Sequence, residues 1–211
     1  MPDFPGGLYA ITPETADTEQ LLTQVEAALT GGVAAVQYRD KSDDIARRHE
    51  QASELVVLCR QFGVPLIVND DLRLADLADA DGVHLGRDDG SVREARIILG
   101  KGKIIGASCY QDLALAQAAQ AAGADYVAFG SFFPSPTKPQ AARADLALLH
   151  DASPALRLPI VVIGGITLAN AASLLDAGAD SLAVLSALFD TPDIRASARA
   201  LNHLFETESE Q

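Results

Sequence analysis

The chain has 211 residues and is acidic, with 16 Lys and Arg against 29 Asp and Glu and a formal net charge of −13. This charge excludes nucleic acids and anionic membranes as favourable partners, because their phosphates attract an excess of basic residues. Two cysteines without a CxxC pair argue against a disulfide framework or a thiolate metal site. The first residues, MPDFPGGLYAIT, have no signal-peptide pattern, and no apolar run approaches the ~20 residues of a membrane span. We therefore expect a cytoplasmic protein that acts on small molecules.

Eight short β-rich runs recur along the chain, at residues 8–12, 34–39, 65–70, 82–85, 103–108, 125–133, 159–164 and 181–188. The segments between them have helical spacing, and several end in Gly, which is a helix C-terminal signal. In the second of these segments one helix face is predicted to consist of Ile45, His49, Ala52, Val56, Cys59 and Phe62. Eight strand–helix repeats with apolar strands predict a parallel sheet that closes into a (β/α)8 TIM barrel.

The barrel is expected to form a single domain over residues 1–211, with a disordered acidic tail at about 206–211. The alternative is an open, doubly wound sheet. That architecture needs an edge strand, and none of the eight runs is polar enough to be one.

Polar side chains collect after the predicted strands, where the active site of such a barrel lies. Strand 2 leads into Gln37, Arg39 and Lys41, which period-two alternation would place on one face. Asn69 and Asp70 end strand 3, Asp89 follows strand 4, and Ser108 ends strand 5. The sixth, seventh and eighth runs lead into the segments GSFFPSPTK, IGGIT and VLSAL.

Each of these pieces also has a purely structural interpretation. An Asn-Asp pair at a strand end is most often a turn or a helix cap, and Asp89 is a candidate cap for the following helix. His84 fits a packed strand residue better than a metal ligand, since no partner stands at ligand spacing. Cys109 is expected to be a buried or rim residue rather than a reactive thiol.

Taken together, the pieces form a chemically coherent set. Asp70 and Asp89, on adjacent strands, supply the carboxylate oxygens that Mg²⁺ prefers. With Arg39, Lys41 and Lys138 they match what a pyrophosphate group requires. Glycines after strand 7 and Ser186 after strand 8 suit a second phosphate. Two phosphate sites indicate transfer of a group from a pyrophosphate ester to a phosphorylated acceptor.

At this level the sequence resembles the thiamine-phosphate synthase family over nearly its whole length. The resemblance is carried, in order, by LYAIT, VQYRDK, IVNDD, DGVHLG, GASCY, ADYVAFGSFFPSPTK, VVIGGIT and AGADSLAVLSA. It implies a (β/α)8 barrel, usually dimeric, that joins 4-amino-2-methyl-5-(diphosphooxymethyl)pyrimidine to a thiazole phosphate. The products would be thiamine phosphate and pyrophosphate, with CO2 as well where the thiazole is carboxylated.

The resemblance also implies roles for individual residues. The pyrimidine pyrophosphate would be bound by Gln37, Arg39, Lys41, Asn69, Ser108 and Lys138. The thiazole phosphate would be bound by Ser135, Pro136, Thr137, Gly165, Leu185 and Ser186. Mg²⁺ would be held by Asp70 and Asp89.

The chemistry expected of this family is ionisation, in which pyrophosphate departs before the thiazole nitrogen attacks the pyrimidine cation. Three alternatives remain: the related thiazole tautomerase, a non-catalytic phosphate-ligand sensor, and another phosphate-binding barrel enzyme such as an epimerase. The tautomerase uses a His near strand 5, where this chain has Cys109 and Tyr110. The other two give no reason for an acidic pair ringed by cations.

Overall fold

The computed structural model describes residues 4–134 and 142–208, and their side chains as far as Glu206. The strands are β1 (Gly7–Ile11), β2 (Ala35–Tyr38), β3 (Leu66–Asn69), β4 (Gly82–Leu85), β5 (Ile104–Tyr110), β6 (Tyr126–Gly130), β7 (Ile160–Ile163) and β8 (Ser181–Val184). The helices in this part of the chain are α1 (Thr18–Thr30), α2 (Ile45–Phe62), α3 (Leu72–Leu77), α4 (Val92–Leu99), α5 (Leu113–Ala122), α6 (Leu146–Ala155), α7 (Ala172–Asp176), α8 (Ser186–Phe189) and α9 (Ile194–Glu208).

The eight strands close into a barrel in sequence order, and every neighbouring pair is parallel. Closure is made by β1 and β8, where Tyr9 pairs with Ala183. The predicted (β/α)8 barrel is therefore confirmed, and the open sheet is excluded because β1 and β8 are not edge strands. All strand C-termini consequently meet at one end of the barrel.

Alternation along the strands divides the apolar residues into two layers. Leu8 and Ala10 of β1 pack outward against the helices, whereas Tyr9 and Ile11 point into the barrel. The interior also holds Tyr126, whose ring occupies the space that a Cβ on Gly106 would need. The centre of the barrel is therefore packed with side chains rather than open.

Three aspartates tie the N-terminal ends of the strands together. Asp81, Asp125 and Asp180 each precede a strand and accept a backbone N–H from the strand before it, at 2.7–2.9 Å. Asp125 also pairs with Arg96 at 2.5 Å. These bonds satisfy N–H groups that the sheet leaves unpaired at its start, so the acidic residue that precedes each of these strands is structural.

The elements differ from the sequence prediction in several places. The face predicted for α2 is wrong at Ile45, His49 and Phe62, which are exposed, Ile45 by 77% and Phe62 by 40%. The helix buries Gln51 and Leu55 together with Ala52, Val56 and Cys59. Strand β6 ends at Gly130, three residues before the predicted limit. The run 181–188 divides into β8 and the short helix α8. Helix α9 continues to Glu208, and the remainder of the predicted acidic tail lies outside the described residues.

Candidate active site

Asp70 and Asp89 are brought together at the C-terminal ends of β3 and β4. Asp70 directly follows β3 and has a left-handed backbone, with φ of 63°. Its N–H donates to the carbonyl oxygen of His84 at 2.8 Å, which ties it to the neighbouring strand. Asp89 is four residues beyond β4, and its Oδ2 accepts from the backbone N–H of Gly86 at 2.9 Å.

The N-caps of α3 and α4 are residues other than Asp70 and Asp89. Asp71 caps α3, where its side chain accepts from the N–H of Leu74 at 2.9 Å. Ser91 caps α4, where its hydroxyl accepts from the N–H of Glu94 at 3.1 Å. Neither Asp70 nor Asp89 serves as a cap, and Asp70 holds a backbone conformation that is rare for a non-glycine residue. Such conformations cluster at functional sites.

The carboxyl groups of Asp70 and Asp89 interact, and their pKa values are shifted in opposite directions. Burial opposes ionisation of both groups. For Asp70 this is outweighed by the hydrogen bond from Lys41 and by its contact with Asp89, so its pKa lies below the usual value. Burial together with the neighbouring Asp70 carboxylate raises the pKa of Asp89. Two carboxylates held this close repel each other, so a cation beside them would favour the ionised form of both.

A cavity of about 470 Å³ opens beside this pair. It is lined by Asp40, Lys41, Ser42, Asp43, Arg48, Asn69, Asp70, Asp71, Leu72, Arg73 and Asp89. Four predicted site residues, Lys41, Asn69, Asp70 and Asp89, therefore share one space. The lining residues include five aspartates and three basic side chains, so their carboxylates outnumber their cations by two.

Arg48 and Arg73 are lining residues that the sequence reasoning missed. Arg48 lies on α2 and pairs with Asp71 at 2.8 Å, while its Nε is buried without a hydrogen-bond partner. Arg73 lies in the first turn of α3. Both are on helices rather than at strand ends, and a search confined to strand ends could not find them. No spacing within either helix signals this position.

The residues of VQYRDK separate at the end of β2. Gln37 is buried inside the barrel. Of the three predicted polar residues, it alone lies within β2. Arg39 lies beyond the strand, with its N–H donating to Thr12 Oγ1 at 3.0 Å. Lys41 lies further out and pairs with Asp70, which follows the neighbouring strand β3. Strand alternation therefore accounts for Gln37 alone, and loop geometry places Arg39 and Lys41.

A chain of hydrogen bonds inside the barrel joins Gln37 to Ser108. Gln37 Nε2 donates to the Tyr9 hydroxyl, which contacts the Tyr126 hydroxyl, both at 2.9 Å. Tyr126 also contacts His84 Nδ1 at 2.9 Å, and His84 Nε2 contacts Ser108 Oγ at 2.9 Å. The expectation that His84 packs in its strand is correct, but its two ring nitrogens have specific partners. Tyr9 and Tyr126 were missed because single aromatic residues in an apolar strand look like ordinary core.

The ends of β7 and β8 present the second group of predicted residues. Gly164 and Gly165 follow β7 with φ of 105° and 63°, and a Cβ on Gly165 would overlap the backbone of Phe133 and Pro134. Leu185 follows β8 directly, and Ser186 begins α8. Because Ile163 pairs with Ala183, these two segments leave the barrel side by side.

Four predicted site residues, Ser135, Pro136, Thr137 and Lys138, lie outside the described residues. Arg87, which lies between β4 and Asp89, stacks its guanidinium 4.8 Å from the centroid of the Tyr110 ring. Cys109 is buried, and burial raises the pKa of its thiol to about 12, as expected for an unreactive cysteine.

Comparison with known proteins identifies the family. A sequence model described as thiamine monophosphate synthase matches residues 8–188. A thiamine-phosphate synthase from Thiobacillus denitrificans is 75% identical over 211 residues, which is the full length of both chains. The chain belongs to the thiamine monophosphate synthase family. It is therefore an enzyme, a transferase of thiamine biosynthesis that acts on small molecules.

Two further members of the thiamine monophosphate synthase family support this assignment at greater distance. The protein from Methylobacillus flagellatus is 57% identical over 199 residues, covering 94% of this chain and 95% of that protein. The structure of thiamine phosphate pyrophosphorylase from Pyrococcus furiosus superposes with a TM-score of 0.85 at 34% identity, covering 95% of this chain and 96% of that one. In the described part of the chain, no helix has the length and apolar character needed to cross a membrane.

Proposed function

We propose that this enzyme joins 4-amino-2-methyl-5-(diphosphooxymethyl)pyrimidine to a thiazole phosphate and releases pyrophosphate. With a carboxylated thiazole, CO2 would leave as well. The observation that carries the proposal is the contact of the Asp70–Asp89 pair with Lys41 in one cavity at the strand ends. Such a pair of carboxylates beside cations suits a metal-bound diphosphate better than any single phosphate monoester.

The donor set at Asp70 and Asp89 fits Mg²⁺. In the described ranges, no cluster of three or more His, Cys, Asp or Glu side chains could hold a metal unaided. Mg²⁺ commonly takes only one or two carboxylates and completes its coordination with water and substrate phosphate oxygens. The acidic excess of the cavity lining supports the same conclusion, because a diphosphate would otherwise be repelled. When bound by Asp70 and Asp89, Mg²⁺ would neutralise negative charge that grows on the departing diphosphate.

Separate groups of residues would bind the diphosphate and the ring of the pyrimidine ester. Arg39, Lys41 and Asn69 would hold the diphosphate, together with Lys138. Preplaced cations and amides of this kind stabilise a leaving group without reorganising during the reaction. Gln37 and Ser108, deeper in the barrel, would bind the aminopyrimidine ring.

The thiazole phosphate is assigned to the neighbouring strand ends. Gly165, Leu185 and Ser186 would bind it together with Ser135, Pro136 and Thr137. Support comes from the left-handed backbone at Gly165 and from the parallel exit of β7 and β8, which would bring backbone N–H groups and the Ser186 hydroxyl to one place. This position leaves the two substrates side by side, so that proximity itself lowers the barrier to their joining.

We infer a dissociative route, in which pyrophosphate departs before the thiazole nitrogen attacks. The barrel's role in that route is to orient the two rings and to stabilise the departing group, and none of the assigned residues acts as a general base. The dimer and the cytoplasmic location remain predictions from the family and the sequence.

The experiment is a coupled assay with the pyrimidine pyrophosphate and thiazole phosphate as substrates. Thiamine phosphate and pyrophosphate should form in equal amounts with Mg²⁺ present and should stop forming when a chelator is added. The carboxylated thiazole, assayed in parallel, reports whether CO2 is released. Turnover that survives complete removal of divalent metal would contradict the metal assignment. Failure to form thiamine phosphate under any condition would contradict the function.

A further inference from the structure

An unbroken series of buried hydrogen bonds links Gln37 to Ser108. Tyr9, Tyr126 and His84 join them through four contacts of 2.9 Å each. Both tyrosines are almost fully buried, at 1% and 0% exposure, and His84 is 7% exposed. A buried polar network of this kind is costly unless every donor meets an acceptor. The direction of each hydrogen bond therefore constrains the next one.

With Gln37 Nε2 facing Tyr9, the available donors and acceptors allow only one direction for the hydrogen bonds between Gln37 and Ser108. Burial raises the pKa of Tyr9 and of Tyr126, so each carries one hydroxyl proton. Gln37 Nε2 faces Tyr9 and also lies within reach of Tyr126. Since Tyr9 accepts from Gln37, its own proton goes to Tyr126.

The same argument continues beyond Tyr126. Its oxygen accepts from Tyr9, so its proton goes to Nδ1 of His84. A neutral imidazole that accepts at Nδ1 carries its proton on Nε2, and Nε2 then donates to Ser108 Oγ. The Ser108 hydroxyl proton is left to be donated elsewhere.

We propose that Tyr9, Tyr126 and His84 are positioning residues that fix the hydrogen-bonding sense of Gln37 and Ser108 towards the substrate. In this order Gln37 presents its carbonyl oxygen, an acceptor, and Ser108 presents its O–H, a donor. Reversing the order would require the Gln37 amide to flip, both tyrosine hydroxyls to rotate and His84 to change tautomer together. The two ends of the chain are therefore coupled.

This inference rests on the proposed function for the identity of the ligand. A 4-aminopyrimidine offers an N–H donor to the Gln37 carbonyl and has acceptors for the Ser108 hydroxyl. A 4-oxopyrimidine reverses the pattern at the same ring edge, since it offers an acceptor where the amino group offers a donor. The hydrogen-bond series thereby selects amino over oxo rings, although Tyr9, Tyr126 and His84 act only through Gln37 and Ser108.

The first test uses the full-length protein without substrate. With histidine labelled by 15N, NMR at neutral pH distinguishes a protonated ring nitrogen from an unprotonated one, and a His84→Gln variant identifies the His84 signals. We expect protonated Nε2 and unprotonated Nδ1 in the wild type. Protonation of Nδ1 in the wild type would overturn the proposal, whatever the catalytic results.

The second test measures competition by the aminopyrimidine pyrophosphate and its 4-oxo counterpart. In the Tyr126→Phe variant the Tyr9 hydroxyl can donate to Gln37, so the amide is free to flip and present N–H to the site. We expect discrimination between the two ligands to fall about tenfold, the equivalent of one neutral hydrogen bond. The matched control is Tyr38→Phe, which removes an equally buried hydroxyl bonded to Gln51 outside this chain. It should leave discrimination unchanged.

The outcomes separate the inference from the function on which it rests. If Tyr126→Phe and wild type discriminate equally, the coupling is wrong even though the enzyme is active. If neither pyrimidine ester binds, the proposed substrate is wrong, and the histidine spectrum still decides the proton order. Should Tyr126→Phe not fold, the histidine spectrum of the wild-type protein still decides the proton order.

Discussion

The carboxyl group of Asp89 lies against that of Asp70, although the two residues belong to different loops and neither caps a helix. Lys41, from a third loop, completes the contact at Asp70. Like charges held together in a folded protein usually mark a site whose occupant balances them.

The acidic pair makes the first prediction. Asp89→Asn should reduce turnover at saturating Mg²⁺ by about 10²-fold or more, the size seen when one stabilising group is removed from a reaction centre. Mg²⁺ and pyrophosphate together should raise the melting temperature of the wild type, and the variant should lose this rise. Asp88→Asn is the control, because Asp88 is exposed in the same loop and does not line the cavity. Equal rates in Asp89→Asn and wild type would remove the metal site.

Lys41 makes the second prediction. Its ammonium group pairs with Asp70 and lines the diphosphate cavity. Lys41→Met should raise the KM for the pyrimidine pyrophosphate about tenfold, since a partly exposed charge-assisted hydrogen bond is worth about 1.5 kcal/mol. The KM for the thiazole phosphate should stay within about twofold. Steady-state kinetics with each substrate varied in turn gives both values.

The control for Lys41 is Lys103→Met, which removes a lysine that pairs with Asp79 at the opposite end of the barrel. It should alter neither KM. If Lys41→Met weakens both substrates equally, the division into two phosphate sites is wrong.

Ser186 makes the third prediction, with the opposite selectivity. It begins α8, just after β8, where the thiazole phosphate is assigned. Ser186→Ala should raise the KM for the thiazole phosphate about three- to tenfold, the range of one neutral hydrogen bond, and leave that for the pyrimidine ester unchanged. Ser181→Ala is matched, because Ser181 stands at the other end of the same strand and bonds the Pro5 carbonyl. A larger effect on the pyrimidine ester than on the thiazole would contradict the assignment.

Asp79 makes the fourth prediction, which concerns stability and pH. Hydrogen bonds from Lys103 and Arg60 lower the pKa of Asp79 to about 2. Because this value lies below the unfolded value of about 3.9, the ionised group stabilises the fold above about pH 4. That stabilisation is lost as the pH falls from about 4 to about 2.

The test is the Asp79→Asn variant, because Asn tolerates the left-handed backbone at this position, where φ is 53°. It should lower the free energy of unfolding by about 0.5–1 kcal/mol at neutral pH, as expected for exposed ion pairs. Urea unfolding at a series of pH values should show that the difference in unfolding free energy between the variant and the wild type disappears in acid. Asp76→Asn, an exposed change one turn earlier, should show no such trend. A gap that stays constant to about pH 2 would contradict the assignment of the ion pairs.

Much of this architecture is already present in the order of residues. Eight apolar runs, separated by segments with helical spacing, were enough to predict a closed parallel barrel. A closed parallel barrel places all strand C-termini together, so the list of polar residues that follow the strands was already a list of neighbours. That is why Asn69, Asp70 and Asp89 could be named from local pattern alone.

Local pattern failed where the outcome depended on long-range packing. The face of α2 is set by where the barrel lies, and this buries Gln51 while it leaves Ile45 in solvent. Arg48 lines the cavity because α2 leans over the end of β3, which no spacing within the helix encodes. The bonds among Tyr9, His84 and Tyr126 join strands separated by up to 117 residues in sequence.

The amino-acid sequence by itself determined the barrel, which follows from periodicity, and the family, which follows from the ordered resemblance of its motifs. Residue types at the strand ends predicted the end of the barrel at which the candidate site lies. Tertiary structure alone decided which acids face each other, which helix residues join them and how the buried hydroxyls connect. The physical reason is that periodicity reports only a residue's side of its own element. Contact distances across the barrel depend on closure, register and loop conformation together.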